Sequence, residues 1–357
     1  MYGFVFYFSH FFFFCFKDQG LGKCCVCEKD EQLPGHIMTA NGRHLEIFYE
    51  KSLGGCNRVV EGLLCRKETN ERESVAVKIF SESSFQKKFN SEYQIMQKLS
   101  RFENVVHYYD YAESKMESNS GYIVMELCLG TLLDVIEGRI SLPNPEEVDI
   151  NDVKILCFKQ VLIGLDQLSA SEADAAHRDI KPNNIFFTKG RNGKLITKLG
   201  DFGISKEFCD SCDKTTFTHG HENYLAPELM ECVNKKLKLT PKGWHRADIF
   251  ALGCSIYELF YKKHLYDHGE RFRITANILD GNRRFETQLA KRFRRENELK
   301  EILKDMTNHD PSQRPTANTC LGYDLFKDGS NTINNVIVNV VNSTINDLRA
   351  TGSEIHL

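Results

Sequence analysis

Apolar residues alternate or run together in short stretches up to about residue 127, then recur at helical spacing. Val75-Ala76-Val77-Lys78-Ile79, Val105–Tyr111 and Tyr122–Leu127 read as strands, the last two separated by the polar loop Glu113–Gly121. Phe85, Phe89, Ile95, Met96 and Leu99 fall on one helical face and predict a helix over 85–99. After Gly130 the period changes. Phe158, Val161, Leu162, Leu165 and Leu168 line one face of a long helix, with Asn151 as its expected N-cap. Ile185–Thr188 and Leu195–Leu199 predict a hairpin turning at Asn192-Gly193. Ala247–Tyr261 is apolar nearly throughout and predicts the central helix of the second unit; Leu299–Met306 predicts another. The fold class expected is α+β, with a small sheet-rich unit over 44–129 and a larger helical unit over 130–327.

The ends follow neither pattern. Residues 1–43 read as a hydrophobic leader and linker without regular structure, and 328–357 as an Asn- and Thr-rich tail containing the apolar run Val336–Val341. That run is a docking strand or a disordered segment. Phe4–Phe16 is almost wholly aromatic, but as a helix it spans roughly 20 Å, short of the roughly 30 Å of a bilayer core. It is read as a meaningless leader or as a hydrophobic anchor, so membrane association stays open. Cys24, Cys25 and Cys27 lack a second ligand pair nearby, which favours a reduced unstructured segment over zinc.

Composition adds limits. The 357 residues exceed one ordinary core. Net charge is −3, from 46 basic and 49 acidic residues, so no overall field recruits nucleic acid. Thirteen cysteines in no disulfide framework suit a reducing compartment, the cytosol or nucleus, and a cytoplasmic location is expected.

The chemistry concentrates in His177-Arg178-Asp179-Ile180-Lys181-Pro182-Asn183-Asn184, followed by Asp201-Phe202-Gly203. A carboxylate, a cation and an amide lie within six positions, with a second carboxylate beyond the hairpin. Moving a phosphoryl group from a magnesium nucleotide to a hydroxyl needs that set: an acceptor for the hydroxyl proton, a positive charge for the phosphate, and oxygen ligands for Mg²⁺.

The block reads H-R-D-x-K-x-x-N and then D-F-G, and resembles the catalytic signature of protein kinases. The resemblance runs from about Leu45 to Phe326 and implies a bilobal protein-kinase-like fold. It implies ATP and Mg²⁺ as cofactors and a protein substrate bearing Ser or Thr, since Lys181 matches Ser/Thr kinases rather than tyrosine kinases. By this resemblance Asp179 is the base and Lys181 the phosphate contact. Asn184 and Asp201 are the metal ligands, and Lys78 of Val75-Ala76-Val77-Lys78 contacts the α and β phosphates, held by Glu92. Met96, His177 and Phe202 join an apolar stack between lobes, anchored by Asp248. Val124-Met125-Glu126-Leu127-Cys128 resembles the hinge, where the Glu126 carbonyl and Cys128 amide bind adenine; Val60, Ala76 and Phe186 sandwich the purine. Ala226-Pro227-Glu228 closes a segment like an activation segment, and Glu228 is expected to pair with Arg314. Thr215, Thr216 and Thr218 are phosphate acceptors facing Arg178, or plain loop polarity. Cys209, Cys212, His219 and His221 also have zinc-like spacing within that segment.

Three positions depart from the family pattern. Aligned on Val60, only Gly55 of Leu53-Gly54-Gly55-Cys56-Asn57-Arg58 meets a glycine position, so the phosphate loop reads about two residues short. Phe186 is larger than the usual leucine, and His221 stands where threonine is usual. A nucleotide-binding scaffold that signals by conformation is therefore the alternative to an enzyme.

The motifs Glu126-Leu127-Cys128-x-x-Thr131-Leu132, Ala247–Cys254 and Thr275-Ala276-Asn277-Ile278-Leu279 are similar to those of Ire-type stress-sensor kinases. That resemblance implies autophosphorylation, a possible homodimer and unfolded-protein-response signalling. It also implies, as the alternative to a cytoplasmic location, the cytosolic face of the endoplasmic reticulum membrane. About thirty residues follow Phe326, too few for the ribonuclease domain of that family.

Overall fold

The computed structural model describes residues 35–54, 58–65, 71–80, 85–114, 120–142, 149–171, 175–190, 194–203, 222–235, 239–270, 273–286 and 293–327. The leader, the four thiol and imidazole positions 209–221, the threonines 215–218, the turn at 192–193, Gly55 and the tail all lie outside them. No helix among the described residues is long and apolar enough to cross a membrane.

The smaller lobe is a six-stranded antiparallel sheet in the order β1-β2-β3-β4-β6-β5. Its strands are β1 (His36–Met38), β2 (His44–Gly54), β3 (Arg58–Cys65), β4 (Arg72–Phe80), β5 (Tyr108–Ser114) and β6 (Ser120–Glu126). One helix, α1 (Phe85–Leu99), packs across it. Residues 35–43 were expected to be linker, but His36 pairs with Glu46 and Met38 with His44. The following turn docks through Ala40 N–H on the Tyr111 carbonyl at 2.8 Å. Arg43 then closes on Asp110, with Nε at 3.1 Å and Nη2 at 2.9 Å from Oδ2. The ordered lobe therefore begins earlier than the linker reading places it.

Strand periodicity sorts β4. Val75, Val77 and Ile79 join the sheet's own core with Leu45, Val60, Leu64, Tyr122 and Val124. Ala76 and Lys78 fall on the opposite face, toward the second lobe. The run at Val105–Tyr111 splits. Val105 bridges Leu199 in parallel, and Val106 N–H donates to the Leu199 carbonyl at 2.8 Å. Only from Tyr108 does the chain join the sheet.

The larger lobe is built on α5 (Pro241–Tyr261), whose residues from Ala247 to Tyr257 are all buried. A helix apolar all round has to be enclosed on every side. It packs against α2 (Leu132–Ile136), α3 (Ile150–Ala170) and α7 (Glu296–Met306), while α8 (Ala317–Leu321) packs on α3 and α6 (Ile274–Leu279) on α4 (Pro227–Lys235). Leu299, Ile302, Leu303 and Met306 form the buried stripe of α7. A Cβ on Gly253 would come within 2.7 Å of Thr307, so the glycine lets α5 and the end of α7 approach. The N-cap of α3 is Asp149, which accepts from Asn151 N–H at 2.9 Å, and not Asn151 as expected. A three-stranded sheet of β7 (Gly130–Thr131), β8 (Ile185–Lys189) and β9 (Leu195–Leu199) lies under the junction of the lobes.

Candidate active site

The loop His177–Asn184 is fixed from below by one carboxylate. Asp248 of α5 accepts from His177 N–H at 2.7 Å and from Arg178 N–H at 2.8 Å. Arg178 has φ = 69°, a left-handed backbone that a side chain with a Cβ adopts only when its surroundings impose it. Burial pushes the Asp248 carboxyl up to about 7 against those two donors. The Arg178 guanidinium lies 4.3 Å over the Trp244 ring.

His177 is fully buried. Its Nε2 is 2.9 Å from the Gly200 carbonyl and its Nδ1 accepts from Asp179 N–H at 3.3 Å, which fixes the Nε2–H tautomer. Burial holds its pKa below the ordinary imidazole value. The ring packs 4.9 Å from Phe202, and Met96 is buried in the same core cluster. The His177–Phe202 part of the expected stack is in contact.

Asp179 collects two donors on Oδ2: Lys181 Nζ at 3.0 Å and Asn184 Nδ2 at 2.8 Å. Asn184 Nδ2 also donates to the Asp179 carbonyl at 2.8 Å. Both amide protons are spent inside the loop, leaving Oδ1 of Asn184 as a hard oxygen ligand. Burial raises the Asp179 pKa, with Lys181 pulling against it.

The second cluster joins the lobes. Lys78 Nζ sits 2.6 Å from Glu92 Oε1 and 2.8 Å from Asp201 Oδ1. Lys78 and Glu92 are each only 3% exposed, so this is a desolvated pair. Burial acts to lower the Lys78 pKa, but the two carboxylates outweigh it and raise it. Asp201, at φ = 61°, is lowered despite burial because Lys78 faces it. A divalent cation fits this arrangement: Asp201 is ionised, and Asn184 and Asp201 bring oxygen ligands, which Mg²⁺ prefers.

Ala76 is buried on β4 and Phe186 is half-buried on β8, but Val60 pairs with Val77 and packs with it in the sheet's own core, on the face opposite Ala76 and not beside it as expected. Phe186 lies against Gly200: a Cβ there would meet its Cε2 at 2.8 Å and Val106 Cγ2 at 2.8 Å. The large ring is accommodated because residue 200 has no side chain. Cys128 is half-buried, with its Sγ 4.0 Å from the Glu126 carbonyl, and burial raises its pKa. Toward the end of β2, Gly54 pairs with Val59 and Ser52 with Val60, but Phe48 pairs with Glu61, so β2 bulges between Phe48 and Ser52.

Sequence reading missed the side-chain partners of Glu126. Its Oε1 accepts from Thr188 Oγ1 at 3.0 Å, and its Oε2 lies 3.1 Å from Lys198 Nζ. The available signal was a lysine inside the apolar strand Leu195–Leu199. The expected pair of Glu228 with Arg314 is bidentate, at 2.6 and 2.8 Å.

The model of the protein kinase domain family matches residues 54–326. This chain belongs to the protein kinase family. Its relatives include a probable serine/threonine-protein kinase nek2 of Dictyostelium discoideum, 30% identical over 65% of this chain and 51% of that protein. Nek8 of Danio rerio is 29% identical over 73% of this chain and 34% of its own length. Nek5 of Mus musculus is 30% identical over 61% and 31%. The chain thus spans about half, or less, of these relatives. A crystal structure of the Rad53 kinase domain and SCD2 superposes with a TM-score of 0.58 at 17% identity, covering 87% of this chain and 98% of that one, a likeness of fold. The relatives are Nek-type, so the closeness to Ire-type kinases expected from the hinge and α5 motifs finds no support in them.

Proposed function

We propose that this kinase-family chain transfers the γ-phosphate of ATP to a Ser or Thr hydroxyl of a protein substrate, with Mg²⁺. One observation carries the reading: Lys78 bonds Glu92 and Asp201 at once while Lys181 and Asn184 converge on Asp179. In this reading Lys78 orients the phosphates of the nucleotide. Asp179 accepts the substrate hydroxyl's proton and aligns its oxygen, and Lys181 balances charge on the phosphoryl group in flight. Asn184 and Asp201 hold the metal, which when bound neutralises charge on the phosphate oxygens. The hinge backbone at Glu126 and Cys128 reads adenine, between Ala76 on one side and Phe186 on the other.

The test is transfer of labelled phosphate from MgATP to a generic protein substrate by the wild type and by Asp179→Asn. Loss of transfer by about a hundredfold or more, with MgADP binding retained, supports the assignment. Equal transfer removes Asp179 from its role. A scaffold without turnover is the second reading, favoured in the sequence by the glycine-poor Leu53–Arg58, by Phe186 and by His221. It predicts MgATP binding without transfer by the wild type. Stress signalling and autophosphorylation of the Ire kind rest on the hinge, α5 and Thr275–Leu279 motifs alone and form no part of the proposal.

A further inference from the structure

Glu126 ends β6, where the hinge begins. Its carboxylate is held by three donors: Thr188 Oγ1 at 3.0 Å, Lys198 Nζ at 3.1 Å and His107 N–H at 3.2 Å. Lys198 Nζ also reaches the Val105 carbonyl at 3.2 Å. Lys198 and Thr188 are 7% and 6% exposed, so these are interior contacts. Register places Lys198 opposite Phe186, and Thr188 two residues further along β8, so all three side chains share the face toward the hinge. The same hairpin is flanked by Asn184 before β8 and Asp201 after β9.

A lysine inside an apolar strand is costly to desolvate unless it is paired. Here its partners are the hinge carboxylate and the connector that leads into β5. We infer that Lys198 and Thr188 are positioning residues. They clamp the Glu126 carboxylate and so set the spacing between the hinge backbone and the metal-ligand end of the cleft. The inference rests on the kinase reading above. The Glu126 side chain, turned into the clamp, contributes by orientation and not by touching the purine. The backbone bond from Leu129 N–H to the Phe187 carbonyl, 2.7 Å, is independent of the clamp and keeps the hairpin on the hinge when Lys198 is replaced.

The experiment compares wild type, Lys198→Met, Lys198→Arg, Thr188→Val, Glu126→Gln and the Lys198→Met/Glu126→Gln double variant. KM for ATP and kcat are measured on a generic protein substrate, and Kd for MgADP by calorimetry. Lys198→Met is expected to raise KM and Kd about tenfold, equivalent to about 1.4 kcal/mol, with kcat within about twofold of wild type. Lys198→Arg recovers most of the loss, because a guanidinium can reach the same carboxylate. Thr188→Val gives a smaller rise, about threefold. The double variant is expected to be no weaker than Lys198→Met, since both changes remove one contact. Unchanged Kd in Lys198→Met alongside a lowered Tm overturns the inference, as do additive losses in the double variant. A wild type that binds MgADP without turnover defeats the enzyme reading alone, and the Kd series then decides the clamp. A wild type that binds no nucleotide defeats both.

Discussion

Replacing Lys78 by methionine separates what this lysine does for folding from what it does for chemistry. Methionine fills similar volume but leaves Glu92, 3% exposed and 2.6 Å from the lost ammonium, as a buried carboxylate without its main counter-charge. Burial already acts to raise the Glu92 pKa, and Lys78 is what opposes it. Glu92 of the variant then has two options, to stay ionised at the cost of an unpaired buried charge, about 3–5 kcal/mol, or to take up a proton. Protonation at pH 7 costs about 1.36 kcal/mol per unit above the unfolded value of about 4.3, hence about 4 kcal/mol. At pH 5 the same step costs only about 1 kcal/mol. The sign follows from linkage: a carboxyl raised in the folded state contributes stability below its unfolded pKa and loses it as pH rises. Urea unfolding of wild type and Lys78→Met should therefore differ by up to about 4 kcal/mol at pH 7 and by about 1 kcal/mol at pH 5. Adding Glu92→Gln should recover most of the stability at pH 7 and none of the phosphate transfer. A gap between wild type and Lys78→Met that is the same at both pH values would refute the argument, because the loss would then not run through the Glu92 carboxyl.

Gly200→Ala should weaken MgADP binding about tenfold or more, since its Cβ would lie 2.8 Å from both Phe186 and Val106, and adding Phe186→Leu should restore part of it by relieving the first contact; calorimetry reads both. His264, buried and held to about 4 by that burial, is neutral when folded, so stability should fall as pH drops from 6.5 toward 4. Between pH 7.5 and 5 this is worth about 2 kcal/mol, and His264→Gln should flatten that part of the unfolding curve. Arg314 spends all its N–H groups on Glu228 and on the carbonyls of Arg246, Asn308 and His309. Arg314→Leu should cost about 3–5 kcal/mol in urea unfolding, and an effect below about 1 kcal/mol would mean that the pair is dispensable.

Much of the site was legible because its chemistry is contiguous. Asp179, Lys181 and Asn184 lie within six positions, and a loop that short brings them together once Asp248 fixes its backbone. Helix α1 emerged at the expected residues because its apolar spacing has one interpretation. Boundaries were less legible where two residues of the same kind compete. Asp149 and Asn151 are both good caps, and only the hydrogen bond to Asn151 N–H decides between them. The run from Val105 was read as one strand because apolarity marks burial without naming the partner, and Val105 is buried against Leu199 of the other lobe. Residues 35–43 read as linker because a three-residue strand is too short to show a period. The clamp on Glu126 was legible only in part: Lys198 inside an apolar strand signalled a buried partner, but Thr188 lies 62 residues from Glu126 in sequence and no local pattern names that pairing.

The bridge between Val105 and Leu199 also constrains motion. It joins the lobes behind the cleft, while the chain itself joins them at Glu126–Gly130. These two backbone attachments define a line about which the lobes can rock once the side-chain bond from Lys78 to Asp201 opens. Opening should therefore be smallest beside Lys198, whose ammonium reaches both Glu126 and the Val105 carbonyl. A nucleotide leaving the cleft would free its phosphate end first and its base last.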